Sequence, residues 1–252
     1  MPTITLPDGS TKSFDAPTTP FDVAMTIGER LARAAIGAKI DGVLTDLSTP
    51  IESDCSLALV TEKRRDPETG DQDLDPDALF MLRHSTAHVM AEAIERVVPG
   101  AQLVYGPPLD TGFYYDIAFP EDRPLREGDF EAIEAEMAKI VKEDRPFTRY
   151  ELEYSEGLKK LEGEGSKYKL DNAHRAHEAG SLNLSWYATG TPGEHWEDLC
   201  RGPHVPSTGK IGAFKIMSLA SSYWHGDENS DRLTRVYCTA FFDKKQVKAH
   251  LN

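Results

Sequence analysis

The chain has 252 residues, 39% of them hydrophobic, enough for one large domain or two smaller ones that each bury a core. Its formal net charge of −14 at pH 7 excludes an indiscriminate polyanion binder, because such proteins draw their affinity from lysines and arginines laid against phosphates. No apolar run approaches a membrane span, the N-terminus shows no signal-peptide pattern, and the three cysteines form no CxxC pair, so a cytoplasmic protein is expected.

Residues 1–62 read as one unit. ITL and the segment ending near Phe14 are short strands about a PDGS turn, and a helix begins at Thr19. Thr19 can cap it, Pro20 suits its first position, Asp22 favours its positive end, and Val23, Ile27, Leu31 and Ala34 recur at helical spacing. Gly37 is expected to close it. AKIDG, VLTDL and CSLALVT then follow as short strands separated by turn residues. A small sheet gripping one helix is the β-grasp plan.

The stretch KRRDPETGDQDLDPDA, residues 63–78, is charged, rich in turn residues and without apolar periodicity, and reads as a linker. A helical pattern from Leu79 to Val98 stops at Pro99-Gly100, and VYGPPLDTGFYYDIAF reads as extended segments turning at Pro107-Pro108 and Gly112. A second helix over Asp129 to Asp144 carries Phe130, Ile133, Met137, Ile140 and Val141 on one face. FTRYELEY reads as a strand, SEGLKKLEGE as a short helix, and the residues from there to Gly180 as a polar stretch. SLNLSWYAT, AFKIMSLASSYW and LTRVYCTAFF are further strands, and DKKQVKAHLN begins a helix. Residues 79–252 thus form a second, larger α+β domain.

Two clusters could carry chemistry. In HSTAHVMAEA, His84 and His88 lie four apart on a helix, on nearly the opposite side from Leu82, Val89, Ala93, Ile94 and Val97. That spacing lets both rings converge on a metal or a water, and equally describes two solvent-exposed rings. In EDLCRGPHVP, Cys200 and His204 are again four apart, with Gly202-Pro203 forcing a turn rather than a helix. They fit a nucleophile with its base, two metal ligands, or water-orienting groups, with Asp198 able to fix a ring tautomer; a buried cysteine beside an unrelated histidine is the alternative. Three imidazoles and a thiol match a tetrahedral zinc site. There is no HExxH, no phosphate-binding GxxxxGK[ST] loop and no strand-linked GxGxxG, and His174 and His177 read as surface residues.

Taken together, HSTAHVMAEA, GFYYD at 112–116, DLCRGPH at 198–204 and SSYWHGDENSDRLTRVYCTAFFDKK at 221–245 resemble the N-terminal half of bacterial threonyl-tRNA synthetases, in order and over nearly the whole chain. The resemblance implies a ubiquitin-like TGS domain followed by an editing domain, an α+β fold with an antiparallel sheet and packed helices. It places His84, His88, Cys200 and His204 at the catalytic centre with Asp198 beside them, Lys169 against the terminal ribose and ester, and Tyr115 and Tyr187 as pocket walls. It implies hydrolysis of serine from mischarged tRNA(Thr), with Cys200 positioning water rather than attacking. The related editing domain of alanyl-tRNA synthetases binds zinc through HxxxH and CxxxH. The ligand set permits zinc here, whereas the threonyl branch implies that none is required. Aminoacylation and anticodon-binding domains would belong to a full-length synthetase, so the chain is expected to be either a fragment of one or a free-standing editing protein. Alanyl-type editing of seryl-tRNA(Ala) and a non-enzymatic TGS-containing RNA-binding or regulatory module are the alternatives. The sequence departs from the family at YWHGD, with His225 for arginine, and at VYCTA, with Cys238 for glycine. At this charge, tRNA is expected to bind weakly, near Lys167, Lys169 and Lys244-Lys245, with no membrane involved.

Overall fold

In the computed structural model, which describes every residue except Pro67, the chain opens with β1 (Thr3–Thr5) and β2 (Thr11–Ser13) and enters α1 (Pro20–Ile27). Thr19 caps α1 reciprocally: its hydroxyl accepts from the Asp22 backbone N–H while the Asp22 carboxylate accepts from the Thr19 N–H, both at 3.1 Å. Substituting Thr19→Ala should remove the bond from the Asp22 N–H, while the backbone N–H of residue 19 keeps its own, and cost about 1 kcal/mol of local stability, read as faster amide exchange at Val23 and Ala24. Unchanged exchange there would show that the cap contributes nothing.

The helix does not continue to Gly37. It breaks at Gly28, resumes as α2 (Glu29–Ala34), and gives way to β3 (Ala35–Ile40), which contains Gly37. Helical periodicity overran here because glycine at 37 answers a packing need: a Cβ there would collide with the side chain of Met81. With β4 (Val43–Thr45) and β5 (Cys55–Thr61), these strands form a sheet in the order β2-β1-β5-β3-β4, in which β1 and β5 are parallel and the other pairs antiparallel. Ile4, Val23, Ala35, Ala38, Leu47, Ile51 and Leu57 fill the space between sheet and helix. This is the β-grasp arrangement. The stretch read as a linker contains a short hairpin, β6 (Lys63–Arg65) with β7 (Gln72–Leu74), and leads into α3 (Pro76–Val97). Residues 1–85 with 202–206 form one compact unit, and 86–201 with 207–252 the other.

The second unit is built on β8 (Gln102–Tyr105), β9 (Pro108–Leu109), β10 (Gly112–Ala118), β11 (Phe147–Glu153), β12 (Asn183–Thr189), β13 (Glu197–Leu199), β14 (Ala213–Tyr223) and β15 (Arg232–Phe241). They make two antiparallel sheets: β14-β15-β10-β8, with β9 beside β10, and β11-β12-β13. Its helices are α4 (Phe130–Lys142), α5 (Tyr154–Glu164), α6 (Lys167–Glu178) and α7 (Lys244–Leu251). The stripe expected on α4 is observed, with Ile133, Met137 and Ile140 buried. The polar stretch before Gly180 is not a loop but α6. Gly165, at φ 69, ends α5 in the left-handed region, and Ser166 restarts the chain by accepting the Lys169 N–H at 3.3 Å. Ala173 then packs with Leu161, Leu184 and Trp186, flanked by Leu170 and Ala176.

Both departures from the family pattern are accommodated locally. His225 stacks on Trp224 with ring centroids 4.7 Å apart, accepts from the Arg175 guanidinium at 2.9 Å through Nδ1, and meets the Asp171 carboxylate at 3.1 Å through Nε2. Cys238 lies buried in β15 opposite Phe113, and the glycine required at that crossing is Gly112, where a Cβ would strike the Cys238 carbonyl.

Candidate functional site

The helix α3 carries His84 and His88 one turn apart. Its polar side does not face solvent, contrary to the wheel: Ser85, Thr86, His88 and Glu92 are all buried, and His84 is half-buried. A wheel shows only which residues share a face. What covers that face is contributed by residues distant in sequence.

In the first unit, His84 stacks on His204 with centroids 4.3 Å apart and planes 28° from parallel. Hydrogen bonding fixes both rings. The Nδ1 of His84 lies 3.2 Å from the Pro203 carbonyl, which can only accept, so Nδ1 carries a proton and, in the neutral ring, Nε2 carries the lone pair. The Ser85 hydroxyl donates its one proton to the Met81 carbonyl at 2.8 Å and accepts the Val205 N–H at 3.0 Å. It can therefore meet His204 Nδ1, 3.0 Å away, only as an acceptor, and His204 takes the same tautomer. Asp46 fixes the backbone here, accepting the His204 N–H at 2.7 Å. Gly202, at φ 74, supplies the left-handed residue that the expected turn needs.

In the second unit, Lys169, Asp198 and Tyr115 form a closed triangle of buried groups. Lys169 Nζ lies 2.7 Å from Asp198 Oδ1, and the Tyr115 hydroxyl donates to Asp198 Oδ2 at 2.7 Å while accepting from Lys169 at 3.0 Å. Burial works to raise the Asp198 pKa, but the Lys169 ammonium and then His88, with hydrogen bonds from Lys169 and Tyr115, hold it below the ordinary carboxylate value. Burial, followed by the Asp198 charge, pushes the Tyr115 phenol well up. The triangle is thus carboxylate, ammonium and neutral phenol. Two of the three Lys169 donors are engaged in it, leaving one to direct at a further oxygen.

Tyr187 is buried and pairs with Asp198 across β12 and β13, setting a wall beside the triangle. Cys200 is half-buried just past β13; its N–H donates to the Ser185 carbonyl at 2.9 Å and its carbonyl accepts from the Ser185 hydroxyl at 2.6 Å. His88 meets the Trp196 ring edge-on at 5.4 Å, and Trp196 Nε1–H donates to Glu95 at 2.5 Å. Burial, followed by the nearby Asp198 charge and partly offset by the Trp196 bond, raises the Glu95 pKa.

Ser85, Asp46, Glu95 and Trp196 do not stand out as site residues in the sequence. Ser85 lies inside HSTAH and Glu95 shares the histidine side of the wheel, which are the only local signals for them; Asp46 and Trp196 offer none. His174 and His177 are exposed, and each packs against the Tyr154 ring.

Comparison with known proteins adds a separate line of observation. Residues 2–61 match the TGS domain, and residues 187–237 match the family described as threonyl and alanyl tRNA synthetase second additional domain. The chain is 44% identical over 254 aligned residues to a threonine–tRNA ligase of Erythrobacter litoralis, covering 99% of this chain and 36% of that protein. It is 42% identical to the corresponding ligase of Novosphingobium aromaticivorans, over 98% of this chain and 35% of that protein. With that of Legionella pneumophila it shares 43% identity, over 100% of this chain and 36% of that protein. The chain therefore spans about a third of the length of the curated relatives it matches. Among the described residues, no helix is long and apolar enough to cross a membrane.

Proposed function

This chain joins a TGS domain to the second additional domain of threonyl and alanyl tRNA synthetases, with 42–44% identity over its whole length to the N-terminal part of bacterial threonyl-tRNA synthetases, and from that premise we propose that it is an aminoacyl-tRNA deacylase. Its substrate is seryl-tRNA(Thr), and it cleaves the ester between serine and the terminal adenosine. The work takes place in the cytoplasm, alongside the aminoacylation and anticodon-binding domains of a full-length synthetase. The observation that carries this reading is the shared tautomer of His84 and His204. Each ring is held with Nδ1 protonated, which in the neutral imidazole leaves Nε2 with the lone pair that proton abstraction from water requires.

In the proposed reaction a water is held by the imidazoles of His84, His88 and His204 with Cys200 beside them. One Nε2 takes a proton from water as the oxygen attacks the seryl carbonyl, and the developing oxyanion accepts from Lys169. Asp198 and Tyr115 hold Lys169 aimed through their hydrogen bonds, and Tyr187 closes the wall. Collapse of the tetrahedral intermediate expels the ribose oxygen, which recovers the proton from the imidazolium. Cys200 positions the water, since ester hydrolysis by water needs no acyl-enzyme. Threonine is excluded sterically by its extra methyl group. Such a second, hydrolytic sieve is needed because a missing methyl discriminates by only about 1–3 kcal/mol in a synthetic site.

By the chemistry of its donors the same set fits zinc: three imidazoles and a thiol, with Nε2 of His84 and of His204 free of a proton when the rings are neutral. His84, His88, Cys200 and His204 would hold it, and it would polarise water. The proposed reaction does not require the ion. Protein purified without chelator should contain far less than one zinc per chain by elemental analysis and retain activity after dialysis against chelator. Stoichiometric zinc whose removal abolishes hydrolysis would overturn the metal-free reading.

The test of function is release of serine and of threonine from their tRNA(Thr) esters at saturating chain. Serine should be released and threonine spared. Comparable serine release from tRNA(Ala) and not from tRNA(Thr) would favour the alanyl-type reaction, and release from neither would favour a non-enzymatic RNA-binding role.

A further inference from the structure

His88 is buried on α3, and in the second unit two aromatic rings pack edge-on against it: Trp196 at 5.4 Å with planes 78° apart and Phe147 at 6.4 Å with planes 65° apart. Edge-on packing of aromatic rings is a favoured geometry, and two such contacts on one ring favour a single orientation of its plane. The Trp196 ring is itself pinned. Its Nε1–H donates to Glu95 Oε2 at 2.5 Å, and Glu95 sits on the same helix as His88, two turns further on. The helix thus holds both ends of the arrangement, the imidazole at one and the anchor of its neighbour at the other.

We propose that Trp196 and Glu95 are positioning residues for His88: the Glu95 carboxylate fixes the indole through its N–H, and the indole in turn fixes the plane of the imidazole. This inference rests on the deacylase reading for its consequence in catalysis, but the positioning itself is a property of the uncharged chain. Neither residue touches the ester. Their contribution is orientation, and a ring held about 1 Å or a few tens of degrees from its productive place loses rate without losing substrate.

Three variants separate the parts of the device. Trp196→Phe keeps an aromatic ring but has no N–H for Glu95; Glu95→Ala removes the anchor and leaves the indole; Glu95→Gln keeps an acceptor oxygen in place. In seryl-tRNA(Thr) hydrolysis, Trp196→Phe and Glu95→Ala should each lower kcat by about tenfold with KM changed less than twofold. Glu95→Gln should recover most of that loss. The second readout does not depend on activity: the carbon-bound ring protons of His88, observed by proton–carbon NMR of the free chain, lie in the ring current of Trp196. They should shift in Trp196→Phe and in Glu95→Ala and return toward the unaltered positions in Glu95→Gln. Unaltered His88 signals in both Trp196→Phe and Glu95→Ala overturn the positioning role. So does a kcat loss in Glu95→Gln as large as in Glu95→Ala. If the unaltered chain hydrolyses no aminoacyl-tRNA, the deacylase reading fails, and the NMR comparison still decides the positioning of His88. Should Trp196→Phe fail to fold, the two Glu95 variants carry the test by themselves.

Discussion

Replacing His84 with alanine is expected to lower serine release from seryl-tRNA(Thr) by on the order of 10²- to 10³-fold, the range for loss of a positioned acid–base group. The Pro203 carbonyl fixes its Nδ1–H, so the ring presents one lone pair at a constant place, and alanine supplies no substitute. The effect should fall on kcat. The ring is half-buried whereas Ser85 is fully buried, so removing it should disturb the fold less than removing its neighbour Ser85. Ser85→Ala should reduce activity and stability together, because it strands the Val205 N–H and the His204 Nδ1–H at once. Cys200→Ala should lower the rate and leave measurable turnover, as suits a positioning group. Single-turnover hydrolysis at saturating chain measures all three. Equal rates for the unaltered protein, His84→Ala and Cys200→Ala would leave the proposed chemistry without support, and complete loss in Cys200→Ala with capture of a seryl thioester would make Cys200 the nucleophile.

Asp198→Ala should have the largest effect on stability, about 3–5 kcal/mol, because it leaves the Lys169 ammonium buried with its carboxylate gone. Both side chains are more than nine-tenths buried, with exposures of 8% and 6%, so water screens little of their attraction. Lys169→Met should also destabilise, by stranding the carboxylate. The double substitution Asp198→Asn with Lys169→Met removes both charges and should be less destabilised than the sum of the single changes by at least about 1 kcal/mol. All three tryptophans, Trp186, Trp196 and Trp224, lie in the second unit, so fluorescence during urea unfolding reports on this triangle's own surroundings. Additive losses would show that the pair is not energetically coupled. Hydrolysis should be lost in every one of these variants, since each removes the aimed cation or its support.

Much of the framework is determined by local sequence. The Thr19 cap with Asp22 is a contact three residues long, and it forms as its residue types require. The apolar stripe of α4 follows from a period of 3.6, which neighbouring residues carry by themselves. His84 and His88 share one helical face for the same reason, as do Cys200 and His204 their turn.

What surrounds those faces was decided by contacts across the chain. Gly37 sits in a strand instead of ending a helix because Met81 packs on its bare Cα. The helix α6 is concealed by Lys167, Lys169, Asp171, Arg175 and Glu178, whose charges mask a stripe as narrow as Leu170, Ala173 and Ala176, and only the core around Trp186 makes that stripe decisive. The Lys169–Asp198–Tyr115 triangle joins residues up to 83 positions apart, and no local pattern foretells it. Sequence by itself determined which side chains could share a face. Tertiary structure decided their tautomers and charges, because a ring proton or an ionised carboxylate is fixed by the partner it meets and by the water it loses, and both come from elsewhere in the fold.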